Sequence, residues 1–180
     1  MRKYEIDIII LGIMMDGPMH GYQLKQYLHG DYFKHFVNIS IGSLYTRLSA
    51  FEAEGLIEGK REIQEKVPDK KVYCITDAGK KRLAELVATP IDITGVLFLD
   101  LNDFMTHALF FDHISKKQRQ NVIKPFYDYV KDQQRHADVS SESFASHGIH
   151  LNKYQIQTLG LGKYMLDDMA RYLEGLMELS

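Results

Sequence analysis

One face of a single predicted helix carries the side chains best suited to binding another molecule. Leu44, Leu48 and Phe51 recur at i, i+4 and i+7, which predicts an amphipathic helix with one buried stripe. The opposite face holds small residues and one cation: Gly42, Ser43, Thr46, Arg47, Ser49 and Ala50. Because small side chains let a backbone approach closely, and an arginine can form two hydrogen bonds to a guanine edge, this face could enter a DNA major groove. An ordinary amphipathic helix explains the same stripe equally well.

The residues around this helix predict the elements that hold it. Ser40 stands at the expected N-cap, and Gly55 at the expected C-terminal stop. Strands are predicted at residues 56–63 and 71–75, joined by a hairpin tip that contains Pro68.

Three further helices complete the first half. They are predicted at about residues 4–15, 20–28 and 78–87, and the second would bury Tyr22, Leu24, Tyr27 and Leu28. Three helices, a hairpin and a closing helix describe a winged helix-turn-helix over residues 1–88.

The predicted hairpin concentrates positive charge that the whole chain lacks. The protein has 22 Lys and Arg residues against 24 Asp and Glu residues, so its total charge does not indicate nucleic-acid binding. Five bases lie on or beside the hairpin, namely Lys60, Arg61, Lys66, Lys70 and Lys71, together with the acids Glu62, Glu65 and Asp69. These bases are candidate phosphate contacts. A solvated hairpin of mixed charge is the alternative.

Composition argues against several other classes of protein. The lone cysteine, Cys74, excludes an internal disulfide, and the run from Ile8 to Leu11 is too short for a membrane span. We therefore expect a cytoplasmic protein that does not bind membranes. The eight histidines form no HExxH, HxxxH or CxxC pairing, and there is no phosphate-binding glycine loop. The sequence predicts neither an enzyme, nor a metal site, nor a cofactor.

The second half is predicted to be helical. Residues 89–100 form the expected connector, and residues 101–180 the expected helical dimerisation domain. A last helix at about residues 152–179 carries an a/d heptad pattern made by Leu159, Gly162, Leu166, Met169, Leu173 and Leu176. Such a seam packs on a helix of the same chain or on a second copy. We favour the second copy.

The first half resembles the PadR family of bacterial transcriptional regulators. The resemblance rests on Ile10-Leu11-Gly12-Ile13, Gly21-Tyr22-Gln23-Leu24, Gly42-Ser43-Leu44-Tyr45, Leu48, Glu54-Gly55-Leu56-Ile57, Lys71-Val72-Tyr73 and Thr76-Asp77-Ala78-Gly79. In length, the second half is similar to the longer C-terminal type of that family. Thr46 stands where the family commonly has Pro, and Lys70-Lys71 where Arg is more usual.

The resemblance implies a homodimeric repressor whose third helix enters the major groove of a pseudo-palindromic operator. Arg47 is the predicted base contact. Ser40, Gly42, Ser43, Tyr45 and Thr46 would line the groove, although the Tyr45 ring could instead pack between helices. Some family members release DNA on binding phenolic acids or planar drugs. Candidate residues for a small aromatic effector are Phe98, Phe104, Met105, Phe111, Tyr154, Met165 and Met169, which would otherwise be plain core.

A rival interpretation is a winged helix that binds protein rather than DNA. The nearly balanced charge permits it, and three acids close to the third helix, Glu52, Glu54 and Glu58, favour it. Salt-sensitive binding to a duplex separates the two interpretations, because a protein-binding module should show none.

Overall fold

The computed structural model describes residues 3–30, 39–62, 70–137 and 147–179. They form two compact units, Met1–Ser115 and Lys116–Ser180. The helices are α1 (Lys3–Ile13), α2 (Gly21–His29), α3 (Ile41–Ala53), α4 (Asp77–Val87), α5 (Leu97–Ala108), α6 (Lys116–Ala137) and α7 (Lys153–Glu178); the strands are β1 (Met19–His20), β2 (Ile57–Glu62) and β3 (Lys70–Ile75). This mainly helical fold with a small sheet confirms the predicted class. Within the described ranges, no helix combines the length and apolar character that crossing a bilayer requires.

The first unit contains the predicted helices and hairpin, with one strand added. The sheet is antiparallel in the order β1-β3-β2, and Met19 pairs with Tyr73 while Ile57 pairs with Ile75. Two residues are too few to show alternation, so β1 was not predictable from pattern. The predicted tip of the hairpin, residues 64–69, lies outside the described residues.

Helix α1 lies at the centre of the first unit. Ile8 to Leu11 are all fully buried, because α1 contacts α2, α4 and α5 on different sides. Gly12 allows one of the closest approaches. A Cβ atom there would lie 2.2 Å from the ring of Phe110.

Helix α2 buries a narrower stripe than the sequence predicts. Leu24 and Leu28 are buried as expected, whereas Tyr22 is 58% exposed and Tyr27 is 48% exposed. The prediction that both tyrosines face the core is wrong. Nine residues make only two and a half turns, and Gly21, Leu24 and Leu28 already provide the buried stripe.

The ends of α3 are those that the sequence predicts. The Ser40 hydroxyl accepts a hydrogen bond from the Ser43 amide at 3.1 Å, and Gly55 follows the helix with a φ of +71°. Thr76 ties the next helix to this end, since its hydroxyl lies 2.7 Å from the Gly55 carbonyl oxygen and also caps α4. Leu44, Leu48 and Phe51 are buried, which confirms the predicted stripe.

Helix α5 belongs to the first unit. It packs against α1 and α4, and the His107 Nδ1 donates to the Val87 carbonyl oxygen at 3.1 Å. The buried Asp100 carboxylate organises its first turn by accepting from the Thr94 amide and hydroxyl and from the Gly95 amide. The first compact unit therefore includes α5 and ends at Ser115. The predicted connector at residues 89–100 lies within this unit, and the predicted domain bounds stay a prediction.

The second unit is a pair of long helices. Helix α6 continues through Pro125 without the interruption that a proline suggests. It packs on α7, with the Tyr127 hydroxyl 2.8 Å from a Glu174 carboxylate oxygen and the Gln134 amide 2.7 Å from that of Asp167.

Candidate nucleic-acid interface

The N-terminal half of α3 presents a small, polar and uncharged surface. Exposed along it are Ile41, Gly42, Ser43, Tyr45, Thr46 and Ser49. The Ser40 and Ser43 hydroxyl oxygens are 2.9 Å apart, and the Thr46 hydroxyl donates to the Gly42 carbonyl at 2.9 Å. A hydroxyl both donates and accepts, so these groups keep capacity for a further hydrogen bond. The predicted groove-lining residues thus share one exposed face. Their contact with DNA stays a prediction.

Gly42 sets how closely another molecule can approach this face. A Cβ atom there would have only the Ser40 hydroxyl oxygen near it, at 3.9 Å. The fold therefore does not require glycine at this position, and a side chain would project into open space. Whatever lies against α3 would meet that side chain first.

Tyr45 combines the two roles that the sequence left open. Its ring is 43% exposed, yet it also packs against the first residue of α2. A Cβ atom on Gly21 would lie 2.7 Å from the Tyr45 ring and 2.9 Å from its hydroxyl oxygen. Gly21 is thus the residue that lets α2 and α3 meet at this ring. The exposed part of the ring stays available to a ligand.

Arg47 does not lie on the exposed face. Its Nε and Nη2 donate to the two carboxylate oxygens of Asp7 at 2.9 and 2.7 Å, and its guanidinium lies 4.5 Å from the Phe51 ring centroid. The two charged side chains are only 15% and 11% exposed. In this structure the Arg47 side chain therefore points towards Asp7 rather than away from the core, and its contact with a base stays a prediction.

The sequence did contain a signal for this pair. Asp7 stands within an apolar helix that buries most of its circumference, and a buried carboxylate requires a partner. Arg47 lies at the edge of the α3 stripe, where a side chain can turn either way. Only the tertiary contact across 40 residues decides the direction.

The wing cations fall into two groups. Lys60 and Arg61 are exposed on β2, as expected for phosphate contacts. The predicted contact Lys66 and the side chain of Lys70 lie outside the described residues.

Lys71 is paired within the fold. Its Nζ lies 2.6 Å from a Glu52 carboxylate oxygen, and this hydrogen bond raises the pKa of the lysine above its usual value. Gly59 makes room for the pair, since a Cβ there would lie 2.1 Å from the Lys71 side chain. The ammonium also lies 5.4 Å from the Tyr73 ring centroid. Contact with a phosphate would require the Lys71–Glu52 pair to open.

The predicted dimerisation seam divides into two parts. Leu166, Met169 and Leu173 are 6%, 7% and 0% exposed, and Leu176 is half-buried. This part of α7 lies alongside α6 of the same chain, and its contact with a second copy stays a prediction. Leu159 and Gly162 are exposed instead. A heptad pattern shows that a helix packs on something, and it does not identify the partner.

The predicted effector residues differ in burial. Phe104 and Phe111 are buried and stack edge to face at 6.0 Å, so they belong to the core of the first unit. Phe98 and Tyr154 are exposed, at 64% and 71%. Met105 and Met165 are half-buried, whereas Met169 lies in the buried part of α7. The seven therefore differ in their access to a ligand.

Other kinds of site are poorly supported. Among the residues that the structure describes, no group of three or more His, Cys, Asp or Glu side chains could hold a metal ion. A cavity of about 450 Å³ lies in the second unit, lined by Gln120, Asn121, Lys124, Pro125 and Met177. None of the predicted effector residues lines this cavity.

The segment that contains α3 is similar to a known protein family. Residues 10–85, which include α3 and both wing strands, match the transcriptional regulator PadR-like family. The negative transcriptional regulator PadR of Bacillus subtilis (strain 168) is 26% identical over 115 residues, which are 64% of this chain and 61% of that protein. The match thus spans about three fifths of that relative's length.

Solved structures give matches over almost the whole chain. Bacillus subtilis PadR in complex with operator DNA is 20% identical, with 97% of both chains covered and a TM-score of 0.46. The same protein in complex with p-coumaric acid is 19% identical, with 99% of this chain and 97% of that chain covered and a TM-score of 0.43.

Proposed function

Because residues 10–85 match the PadR-like family of transcriptional regulators, we propose that this chain is a DNA-binding repressor that acts as a homodimer. The observation that carries the proposal is the exposed, small and uncharged face of α3, bounded by a capped N-terminus. The match to a family of transcriptional regulators also supports a regulator rather than an enzyme. A DNA-binding regulator would act in the cytoplasm.

The proposed mode of binding follows from the α3 surface. Gly42 lets the helix backbone approach the floor of a major groove. Ser43 and Thr46 then offer hydroxyl groups to base edges, which is a readout with fewer contacts than an arginine provides. Lys60 and Arg61 on β2 bind the flanking phosphates and contribute an attraction that depends on salt. Recognition would combine a close backbone fit with a few polar contacts.

The homodimer rests on the N-terminal part of α7. Residues 152–164 are exposed except for half-buried Gly160, and the exposed residues include Tyr154, Leu159, Leu161 and Tyr164. Exposed apolar residues along one helix are typical of a surface that binds a partner. A second copy would supply that partner and present two α3 helices to half-sites about one DNA turn, roughly 34 Å, apart. The operator would then be a pseudo-palindrome.

The test begins with selection of duplex DNA from a random-sequence pool by the purified full-length protein. Fluorescence anisotropy then compares the selected duplex with a scrambled one at two salt concentrations. We expect at least tenfold tighter binding to the selected duplex, and weaker binding at higher salt. Failure to enrich any sequence would contradict the proposal.

Gly42→Leu tests the docking face directly. The site has open space and helical backbone, so leucine should fold at least as well as glycine, since it is the better helix former. Its side chain would nevertheless keep the backbone out of the groove. We expect a loss of binding of tenfold or more, whereas Ala53→Leu, at the exposed far end of α3, should bind normally.

The alternative function is a protein-interaction module. It is favoured by the engagement of Arg47 and Lys71 in ion pairs with acids, which leaves fewer cations for phosphate. Salt-insensitive binding, or no binding to any duplex at low salt, would support it.

The proposal includes release of DNA by a small aromatic effector, as the family resemblance implies. Phe98 and Tyr154 are the most accessible of the predicted residues. With p-coumaric acid as the first probe, we expect weaker binding of the selected duplex and smaller release by Phe98→Ala. Unchanged anisotropy up to millimolar acid would contradict release by this class of ligand.

A further inference from the structure

The Asp7–Arg47 pair has a geometry that ordinary ion pairs lack. Two parallel hydrogen bonds, of 2.9 and 2.7 Å, join the planar guanidinium to the carboxylate. Such a fork fixes both the distance between two groups and the angle between their planes. The Phe51 ring lies 4.5 Å from the guanidinium carbon and adds a second constraint. The pair therefore restrains the rotation of α3 about its own axis relative to α1.

That rotation decides which residues of α3 are exposed. Arg47 directly follows Thr46 in the sequence, so a rotation of α3 that exposes Arg47 would also change the direction in which Thr46 points. Successive residues of a helix point about 100° apart, which leaves little freedom before a different face is presented. The ion pair holds the orientation in which the face containing Gly42 and Ser43 is exposed.

Stability alone does not explain this arrangement. Replacing a buried ion pair by apolar residues of similar volume is often neutral or stabilising, because both charges have to lose their water. Pairing the Arg47 guanidinium with Asp7 also removes a positive charge that would otherwise attract DNA phosphates. The feature that an apolar replacement lacks is the angular constraint.

We infer that Asp7 and Arg47 are positioning residues for sequence recognition. The pair holds α3 so that its small polar face meets the groove, and Arg47 itself touches no base. This inference rests on the proposed DNA-binding function.

The decisive variant is the double replacement Asp7→Leu with Arg47→Met. It removes both buried charges together, so folding should survive, with a Tm within about 5 °C of wild type. The angular constraint is lost, and we expect the preference for the selected duplex over the scrambled one to fall about tenfold. Asp77→Asn, which removes an exposed acid paired with Lys80 on α4, is the control and should leave that preference unchanged.

Arg47→Lys tests whether the fork matters rather than the charge. Lysine keeps the positive charge but cannot form two parallel hydrogen bonds, so the Arg47→Lys variant should lose as much preference as the double variant.

Asp7→Asn separates positioning from base reading. A positioning pair needs Asp7 and loses preference in this variant, whereas a base-reading arginine would be released by it and keep or increase the preference.

Several results would overturn the inference. They are a double variant with normal preference, an Arg47→Lys variant with normal preference, and an Asp7→Asn variant that recognises the selected duplex as well as wild type does.

Amide hydrogen exchange tests the pair without DNA. Exchange should become faster across α3 in the double variant and stay unchanged in Asp77→Asn. If wild type itself prefers no duplex, the proposed function fails, and recognition by positioning fails with it. Exchange then shows separately whether the pair restrains α3, and unchanged exchange would overturn even that.

Discussion

The two compact units differ in the number of elements that their polar contacts join. In the first unit, Asp7–Arg47 joins α1 to α3, Glu52–Lys71 joins α3 to β3, and His107 joins α5 to the end of α4. In the second unit, the Tyr127–Glu174 and Gln134–Asp167 contacts join one pair of helices, α6 and α7, while the N-terminal part of α7 is exposed. Polar contacts thus connect several elements in the first unit, whereas the second is a pair of helices with one exposed end.

The largest effect should come from the buried part of the second unit. Leu173 is fully buried, so Leu173→Ala should lower the free energy of unfolding by about 2–5 kcal/mol. Leu179→Ala, at a residue directly after α7 that is 83% exposed, should change it by less than about 0.5 kcal/mol. Urea denaturation followed by circular dichroism measures both. Equal losses would show that Leu173 is not part of a packed core.

A smaller effect is expected from the exposed part of α7. Leu159→Glu should weaken self-association at least tenfold, or by about 1.4 kcal/mol, because a charge would be buried between two copies. The helicity of the protein should be unchanged, since Leu159 is half exposed in the single chain. Sedimentation velocity across a range of concentrations measures the association. A dimer as tight as wild type would place the interface elsewhere.

The polar core of the first unit predicts a pH dependence. Burial lowers the pKa of His107 below its ordinary value of 6.5, against the opposing effects of the Val87 carbonyl and Asp103. As the pH falls through 6.5, His107 therefore becomes protonated in the unfolded chain while it is still neutral in the folded chain. The contribution of His107 to the free energy of unfolding is therefore complete above pH 6.5. As the pH decreases further, this contribution decreases by at most about 1.4 kcal/mol per pH unit, until the pKa of the folded state is reached.

His107→Asn tests this dependence. Urea midpoints between pH 5 and 8 should fall less steeply on the acid side in this variant than in wild type. His136→Gln, at an exposed histidine of α6, is the control and should follow wild type. Parallel curves for all three proteins would exclude His107 as the source.

The smallest effect separates two cations of the wing. Lys60 is exposed, and its replacement by Gln should reduce the slope of log DNA affinity against log salt concentration by about 1. Lys71 is held by Glu52, so Lys71→Gln should change the salt dependence less. Lys81→Gln removes an exposed cation of α4 and is the control. A larger change for Lys71 would mean that DNA opens the pair.

Local sequence predicted the ends and the buried stripe of α3 for a physical reason. The ends of α3 depend on Ser40 and Gly55, whose preferences act within a few residues. The buried stripe of α3 depends only on helical period. Both features are determined by residues close in the sequence, and both the predicted ends of α3 and its predicted buried stripe were confirmed.

Local sequence does not determine the direction of a side chain, or the partner of a helix face, when two environments suit it equally well. Arg47 stands at the edge of a stripe, and Asp7 in another helix determines its direction. Leu166 and Leu173 belong to a heptad pattern that either α6 or a second chain would satisfy. Tyr22 and Tyr27 have rings that suit a core and hydroxyl groups that suit water. Choosing between partners requires the tertiary structure.

The contact between Gly21 and Tyr45 has a consequence for how this protein can evolve. A Cβ atom at position 21 would lie only 2.7 Å from the Tyr45 ring, so alanine is excluded there while that ring stays in place. We expect positions 21 and 45 to vary together among descendants of this gene, with a larger residue at the first tolerated only after the aromatic ring at the second is lost.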